Sequence, residues 1–278
     1  MIYEERRSLA SRIWRASDTA RESGALVPLA TEICRVAEGP GAFEVRILSA
    51  ASREARKHNL PAPGVDPFMP YDERLFVAKL SETHVCLLNK FPVIPGHALV
   101  VTRDYESQTR ALTSGDFEAL VNCLMAFDGL AFYNAGREAG ASEPHKHLQF
   151  VPLPLVSDNL DAPITAWFDH GGLPFRHRLV ALRPEIWRSE ASAAACIADH
   201  VSEMLAAFEL QTADGETRPY NLLVTRRWIM LAPRRVEHFG GFSINGLGFA
   251  GALLVHDSEQ LALLRAHGPM AALAHVVG

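Results

Sequence analysis

The spacing of apolar and polar side chains changes several times along the 278-residue chain, and each change marks an element. Residues 4–21 and roughly 43–58 repeat apolar positions every three or four residues, which predicts two amphipathic helices. "NLPAPGVDPFMPYDE" (59–73) carries four prolines and predicts a loop. Residues 75–80, 84–91 and 97–103 run apolar or alternate, and "PVIPG" joins the last two, so three strands are expected. Ser114 then offers a cap for "GDFEALVNCLMAFDGLAFYNAG", which predicts one helix reaching Gly136. A small-residue loop, 136–144, leads into "EPHKHLQFVPLP", a strand, and "SDNLDAP" (157–163) reads as the next loop. Beyond it the pattern predicts a strand near 178–182, a helix over 192–210, a hairpin over 220–235, the apolar run 247–255, and helices from Ser258.

Strands and helices segregate rather than alternate, so the expected class is α+β with antiparallel strands. "LLNKF…VVTR" and "LLVTRRWIMLAPRR" are similar strand–turn–strand units, consistent with a weak internal duplication. Two regions, 1–160 and 161–278, are expected within one compact unit.

Composition narrows the function classes. A hydrophobic share of 48% with 21% charged residues is that of a soluble globular chain. No run of about twenty apolar residues exists, so no membrane span is expected. The first residues are charged and amphipathic, unlike a secretory leader. Cysteines at 34, 86, 123 and 196 form no CxxC, which points to reduced thiols in a cytoplasm rather than a zinc ribbon or a disulfide framework. A net charge of −5 argues against general nucleic-acid binding, so an anionic substrate would need a local cationic patch. Only four basic residues are lysine (Lys57, Lys79, Lys90 and Lys146).

His145, His147 and Gln149 alternate, and on a strand they share one face while Lys146, Leu148 and Phe150 take the other. Three readings fit that face. It is a polar strand with satisfied histidines, or half of a metal site whose remaining ligands have no recognisable spacing. Or it is a nucleophile for phosphorus, since an imidazole can take up a phosphoryl centre and split one transfer into two. The last needs one ring nitrogen free of its proton and the other bonded to an acceptor, with cations and backbone donors around the phosphoryl group.

"GASEPHKHLQFVPLP" resembles the active-site segment of the ATP adenylyltransferases, also called diadenosine tetraphosphate phosphorylases. These form part of the His-x-His-x-Gln branch of the histidine-triad superfamily, which includes galactose-1-phosphate uridylyltransferase. "PFMPYDERLFVAKLSETHVCLLNKFPVIPGHALVVTRDYESQ", "YNLLVTRRWIMLAPRR" and "SINGLGFAGALLV" extend the resemblance over roughly residues 66–255. The missing CxxC separates the chain from those hexose-phosphate relatives that hold a structural metal.

The resemblance implies a histidine-triad-like fold, with the antiparallel sheet formed by both halves and helices packed outside. It implies reversible phosphorolysis of diadenosine tetraphosphate to ATP and ADP through an adenylyl-histidine. His147 would be the nucleophile, His145 would hold the local network, and Gln149 would replace the third histidine of the hydrolytic members. Asn89 and Lys90 would meet the nucleotide, Gly136, Gly140 and Ser142 the phosphates, and Lys57 the polyphosphate. Arg226, Arg227 and Arg234 would clamp phosphate, and Phe68 and Tyr71 would form a lid or an adenine shelf. Lys146, on the other strand face, carries no catalytic expectation. The expected ligands are nucleotides and inorganic phosphate, with no nucleic acid or membrane, no dedicated metal site and no tightly bound cofactor; a divalent cation such as Mg would travel with the polyphosphate. The alternatives are another nucleotidyl transferase or hydrolase of the superfamily, a hexose-1-phosphate uridylyltransferase, and a non-catalytic nucleotide- or metal-binding module.

Overall fold

The chain begins with α1 (Ile2–Glu22), β1 (Thr31–Glu38), β2 (Gly41–Leu48) and α2 (Ala50–Asn59). β3 (Phe76–Lys79), β4 (His84–Leu88), β5 (Ala98–Thr102), α3 (Ser114–Ala126), β6 (Gly129–Ala135) and β7 (His147–Pro152) follow. The remainder supplies β8 (Arg178–Ala181), α4 (Glu190–Ala207), β9 (Tyr220–Val224) and β10 (Trp228–Pro233). It closes with β11 (His238–Phe239), β12 (Phe242–Ser243), α5 (Gly246–Phe249), β13 (Ala252–Val255), α6 (Ser258–His267) and α7 (Pro269–Val276). The computed structural model describes residues 2–59, 62, 64–155 and 161–278. Pro61 and Pro63 of the first expected loop, residues 157–160 of the second, and the end of the expected 1–160 region therefore lie outside the described residues.

Two expected helices are corrected. Over 43–58 the first half is β2, where Phe43 and Val45 alternate inward. β2 pairs antiparallel with β1 and parallel with β13, and two ladders outweigh a weak helical period. β1 itself was not anticipated, because this mostly solvated edge strand buries only Val36. The long helix from Ser114 ends at Ala126 rather than Gly136, because Asp128–Gly129 turns the chain into β6. Every residue of β6 is buried, so its sequence carries no period that separates strand from helix. Thr113, not Ser114, caps α3: its Oγ1 accepts from Asp116 N (3.4 Å), and Thr113 N donates to Asp116 Oδ2 (2.7 Å).

Among the described residues, eight strands form one sheet in the order β3-β4-β5-β7-β6-β9-β10-β8, with every neighbouring pair antiparallel. The β6–β9 seam, from Ala131↔Val224 to Ala135↔Tyr220, joins the two halves of the chain in this α+β fold. One face packs on α1, α3 and α4 through residues such as Leu120, Leu148, Phe150, Ile197 and Leu222. The other face carries two separate clusters. Leu130, Phe132, Leu223 and Met230 pack with Val45, Phe249 and Leu273, while Phe68, Val85, Leu87, Leu99 and Val101 form a smaller group. Each such buried side chain contributes about 1.5–3 kcal/mol relative to exposure. The site opens between the two clusters.

Candidate active site

A cavity of about 600 Å³ lies in that gap, and its walls come from both halves of the chain. The smaller cluster supplies Phe68, Leu87 and Leu99, and the larger one Ile94, Ile244 and Leu247. His147 and Gln149 of β7 form part of the wall between them.

β7 begins at His147, whose side chain is almost completely buried. Its Nδ1 lies 2.8 Å from the carbonyl oxygen of His145. A carbonyl only accepts, so the proton sits on Nδ1 and Nε2 keeps its lone pair. Burial pulls the imidazole down to about 4, against a smaller upward pull from the His145 carbonyl, so the ring is neutral at neutral pH. Phe68 packs against the ring with centroids 5.1 Å apart. The result is an oriented, uncharged imidazole on a mostly apolar wall.

His145 is fully buried beside it. Its Nδ1 lies 2.7 Å from Asp66 Oδ2, and its Nε2 lies 2.9 Å from both Oγ1 and the carbonyl oxygen of Thr102. Both ring nitrogens are thus engaged away from the cavity, and His145 fixes the strand that carries His147. Gln149 Oε1 accepts from His97 Nε2 at 3.0 Å, and Asn89 Nδ2 donates to His97 Nδ1 at 3.2 Å. Burial also holds His97 neutral, with its value pulled down to about 4. The relay Asn89–His97–Gln149 fixes the amide of Gln149, whose oxygen is occupied and whose NH₂ is the end left to meet a ligand.

The 136–142 loop brings Gly140 and Ser142 to the cavity. Gly140 has φ +86°, and a Cβ there would stand 2.9 Å or less from Asn245, so only glycine lets this turn approach the C-terminal wall. Asn134 stands two residues beyond the last β6–β7 pair, opposite His147. Its Oδ1 accepts from Asn221 Nδ2 (2.8 Å) and Gly246 N (2.9 Å), while its buried Nδ2 has no hydrogen-bond partner among the described residues.

Other expected site residues are placed elsewhere. Arg234 does not reach the cavity. It is buried and donates to the carbonyls of Ala139 (3.2 Å), Ile244 (2.8 Å) and Val236 (2.9 Å), so it ties two cavity walls together. Burial pulls its guanidinium down to about 9. Arg226 Nε donates to Leu124 O at 2.6 Å, on the α3 side of the sheet. Arg227 pairs with Asp128 (2.9 Å) and Asp161 (2.6 Å). Neither lines the cavity. Lys57 is exposed and outside it, while its neighbour Arg56 lines the rim. Lys90 lines the rim as well, with Nζ donating to Asn59 O at 3.0 Å, and Tyr71 joins Phe68 along the wall. Among the described residues, no cluster of three or more His, Cys, Asp or Glu side chains is placed to hold a metal ion.

This arrangement can be compared with known proteins. A model of the Ap4A phosphorylase N-terminal domain matches residues 2–170, and one of the ATP adenylyltransferase C-terminal domain matches residues 171–277. The chain belongs to the Ap4A phosphorylase family. It is 30% identical over 246 residues to diadenosine 5',5'''-P1,P4-tetraphosphate phosphorylase 2 of Saccharomyces cerevisiae, covering 77% of this chain and 75% of that protein. Protein APA1 of the same yeast is 29% identical over 225 residues, 70% of each chain. The crystal structure of yeast Ap4A phosphorylase Apa2 in complex with AMP superposes with a TM-score of 0.78 at 26% identity, covering 97% of this chain and 96% of that one. The Apa2 complex with Ap4A gives 0.77 at 25%, covering 97% of both chains.

In this member of the Ap4A phosphorylase family, two cavity-lining residues, His97 and Arg56, and the buried Asn134 opposite His147 were not anticipated from the sequence. His97 was visible in principle, since "HALVV" puts it on the face of Leu99 and Val101. Asn134 was hidden inside the stretch read as helix. Arg56 is one residue from Lys57, but one residue on a helix is a 100° turn.

Proposed function

We propose that the protein cleaves diadenosine tetraphosphate with inorganic phosphate, giving ATP and ADP, and that it runs the reverse synthesis as well. His147 Nε2 attacks the α-phosphorus; the P–N bond forms as the bond to the bridging oxygen breaks, and ATP leaves. An oxygen of inorganic phosphate then attacks the same phosphorus, the P–N bond breaks, and ADP leaves. The observation that carries this reading is the 2.8 Å bond between His147 Nδ1 and the His145 carbonyl in a buried, neutral ring beside the cavity. That carbonyl also stabilises the positive charge the ring acquires once Nε2 is adenylylated. The Gln149 amide, oriented by His97, donates to the phosphoryl oxygens without titrating.

A divalent cation such as Mg accompanies the polyphosphate as part of the substrate. In support, the lysine and arginine side chains lining the cavity among the described residues are Arg46, Arg56 and Lys90, few for a tetraphosphate. A cytoplasmic setting, where these nucleotides and phosphate meet, fits the free thiols of Cys34, Cys86, Cys123 and Cys196. The test is product analysis with and without phosphate. ATP and ADP are expected only with phosphate; ATP and AMP formed in its absence would make water the acceptor and overturn the reading.

A further inference from the structure

The β6–β7 ladder stops short of the nucleophile. Paired residues run from Gly129↔Pro152 to Phe132↔Gln149. Two residues on, where Asn134 and His147 would exchange main-chain bonds, the side-chain amide of Gln108 stands between them. His147 N donates to Gln108 Oε1 at 2.8 Å, and Gln108 Nε2 donates to Asn134 O at 2.8 Å and His147 O at 3.2 Å. A primary amide offers the donor and acceptor of a peptide unit and one further N–H. Gln108 therefore acts as an inserted piece of strand.

Its own backbone is fixed from several sides. Gln108 N donates to Pro144 O (2.8 Å), Lys146 N donates to Glu106 O (2.8 Å), and Ser107 bridges to His145. The Tyr133 hydroxyl donates to Gln108 O. Residues 144–146 thus pair with 106–108 in place of β6, and the chain changes partner at His147. Gln108 is buried and does not line the cavity, so any effect on chemistry passes through His147.

We propose that Gln108 is a positioning residue. Its amide parts β6 from β7 beneath the nucleophile and holds the 145–147 backbone in the geometry that lets His147 Nδ1 bond the His145 carbonyl and presents Nε2 to the cavity. The inference rests on His147 being the nucleophile.

The experiment combines histidine ¹⁵N NMR with rapid-quench measurement of adenylyl-enzyme formation in Gln108→Leu and Gln108→Asn. The first variant removes all three bonds; the second keeps donors and acceptor but is one methylene short. The native protein should show His147 as the single Nδ1–H tautomer, and each variant a mixture of tautomers. Adenylyl transfer should fall about 100-fold, while the Kd of an unreactive methylene-bridged diadenosine polyphosphate stays within about threefold. A folded Gln108→Asn with native tautomer and native rate overturns the proposal. Failure of both variants to fold, read by circular dichroism, also overturns it, because Gln108 would then serve the fold alone. The tautomer reading needs no substrate. A native Nδ1–H tautomer in a protein that never becomes adenylylated sinks the proposed function and leaves the role of Gln108 in orienting the ring to be judged by NMR.

Discussion

The strand that carries His147 and Gln149 faces two different environments. Toward the cavity stand His147, neutral through burial, and Gln149, held by an equally neutral His97. Toward α3 stands Lys146, fully buried, with Nζ 2.6 Å from Glu106 Oε2 and 3.1 Å from Asp116 Oδ2. His84 Nε2 lies 3.0 Å from the other oxygen of Asp116, and Asp116 also caps α3 through Thr113. His147 and Gln149 thus place neutral dipoles in front, beside the His145–Asp66 pair, while Lys146, just before β7, joins an ion cluster behind. A nucleophilic imidazole must stay unprotonated, and burial is what keeps His147 so; behind the sheet, charge can join strand to helix away from that ring.

The comparison predicts separable losses. His147→Ala should cut turnover by about 10,000-fold or more while leaving the denaturation midpoint close to native. Lys146→Met should do the reverse. Removing one partner of a buried ion pair costs about 3–5 kcal/mol, read as a lowered midpoint in urea, while kcat of the folded fraction changes far less. If Lys146→Met lost turnover as steeply as His147→Ala, the two faces would not be independent.

Acid should separate the faces by pH window. His147 and His97 sit near 4 in the folded chain, against an ordinary 6.5. Between those values the unfolded chain binds protons that the folded one refuses, so stability falls as pH drops from 6.5 to 4. The loss is about 3 kcal/mol for each histidine. Burial raises the Asp116 carboxyl, but His84, Lys146 and Thr113 together outweigh it and hold the group below 3.8. Its stabilisation is present above 3.8 and disappears as pH falls through the lower folded value. Urea midpoints measured from pH 8 to 3 should therefore decline in two stages, and Lys146→Met should alter only the lower one. A flat profile between 6.5 and 4.5 would contradict the neutral front face.

The two faces were unequally legible in the sequence. Alternation along residues 145–149 was enough to put Lys146 opposite the two histidines and the glutamine, because strand parity is local. What Lys146 meets was not legible, since Asp116 and Glu106 come from segments 30 and 40 residues away. Arg226 and Arg234 show the same limit. Both belong to one hairpin, yet one donates to α3 and the other to the turn at Ala139. Which layer covers which side of a strand is decided by the whole fold, and a clamp inferred from basic residues alone cannot anticipate it. β6 failed differently: buried on both faces, it has no period to read, and Asn134 went unseen with it.

The smallest effect sharpens the comparison at the cavity rim, where the front face does admit charge. Arg56 lines the cavity from α2, and Lys57, the next residue, points to solvent. Rim cations are hydrated and screened, so they attract a polyphosphate without fixing its geometry. Arg56→Ala should raise KM for diadenosine tetraphosphate about three- to fivefold at low salt with kcat unchanged. That difference should shrink towards nothing at about 1 M salt, where the screening length is about 3 Å. Lys57→Ala should leave both constants at native values under all conditions. Equal effects from the two neighbours would mean that general positive charge, and not the cavity rim, gathers the substrate; a kcat loss in Arg56→Ala would bring a permanent charge into the chemistry of the front face and end its description as neutral.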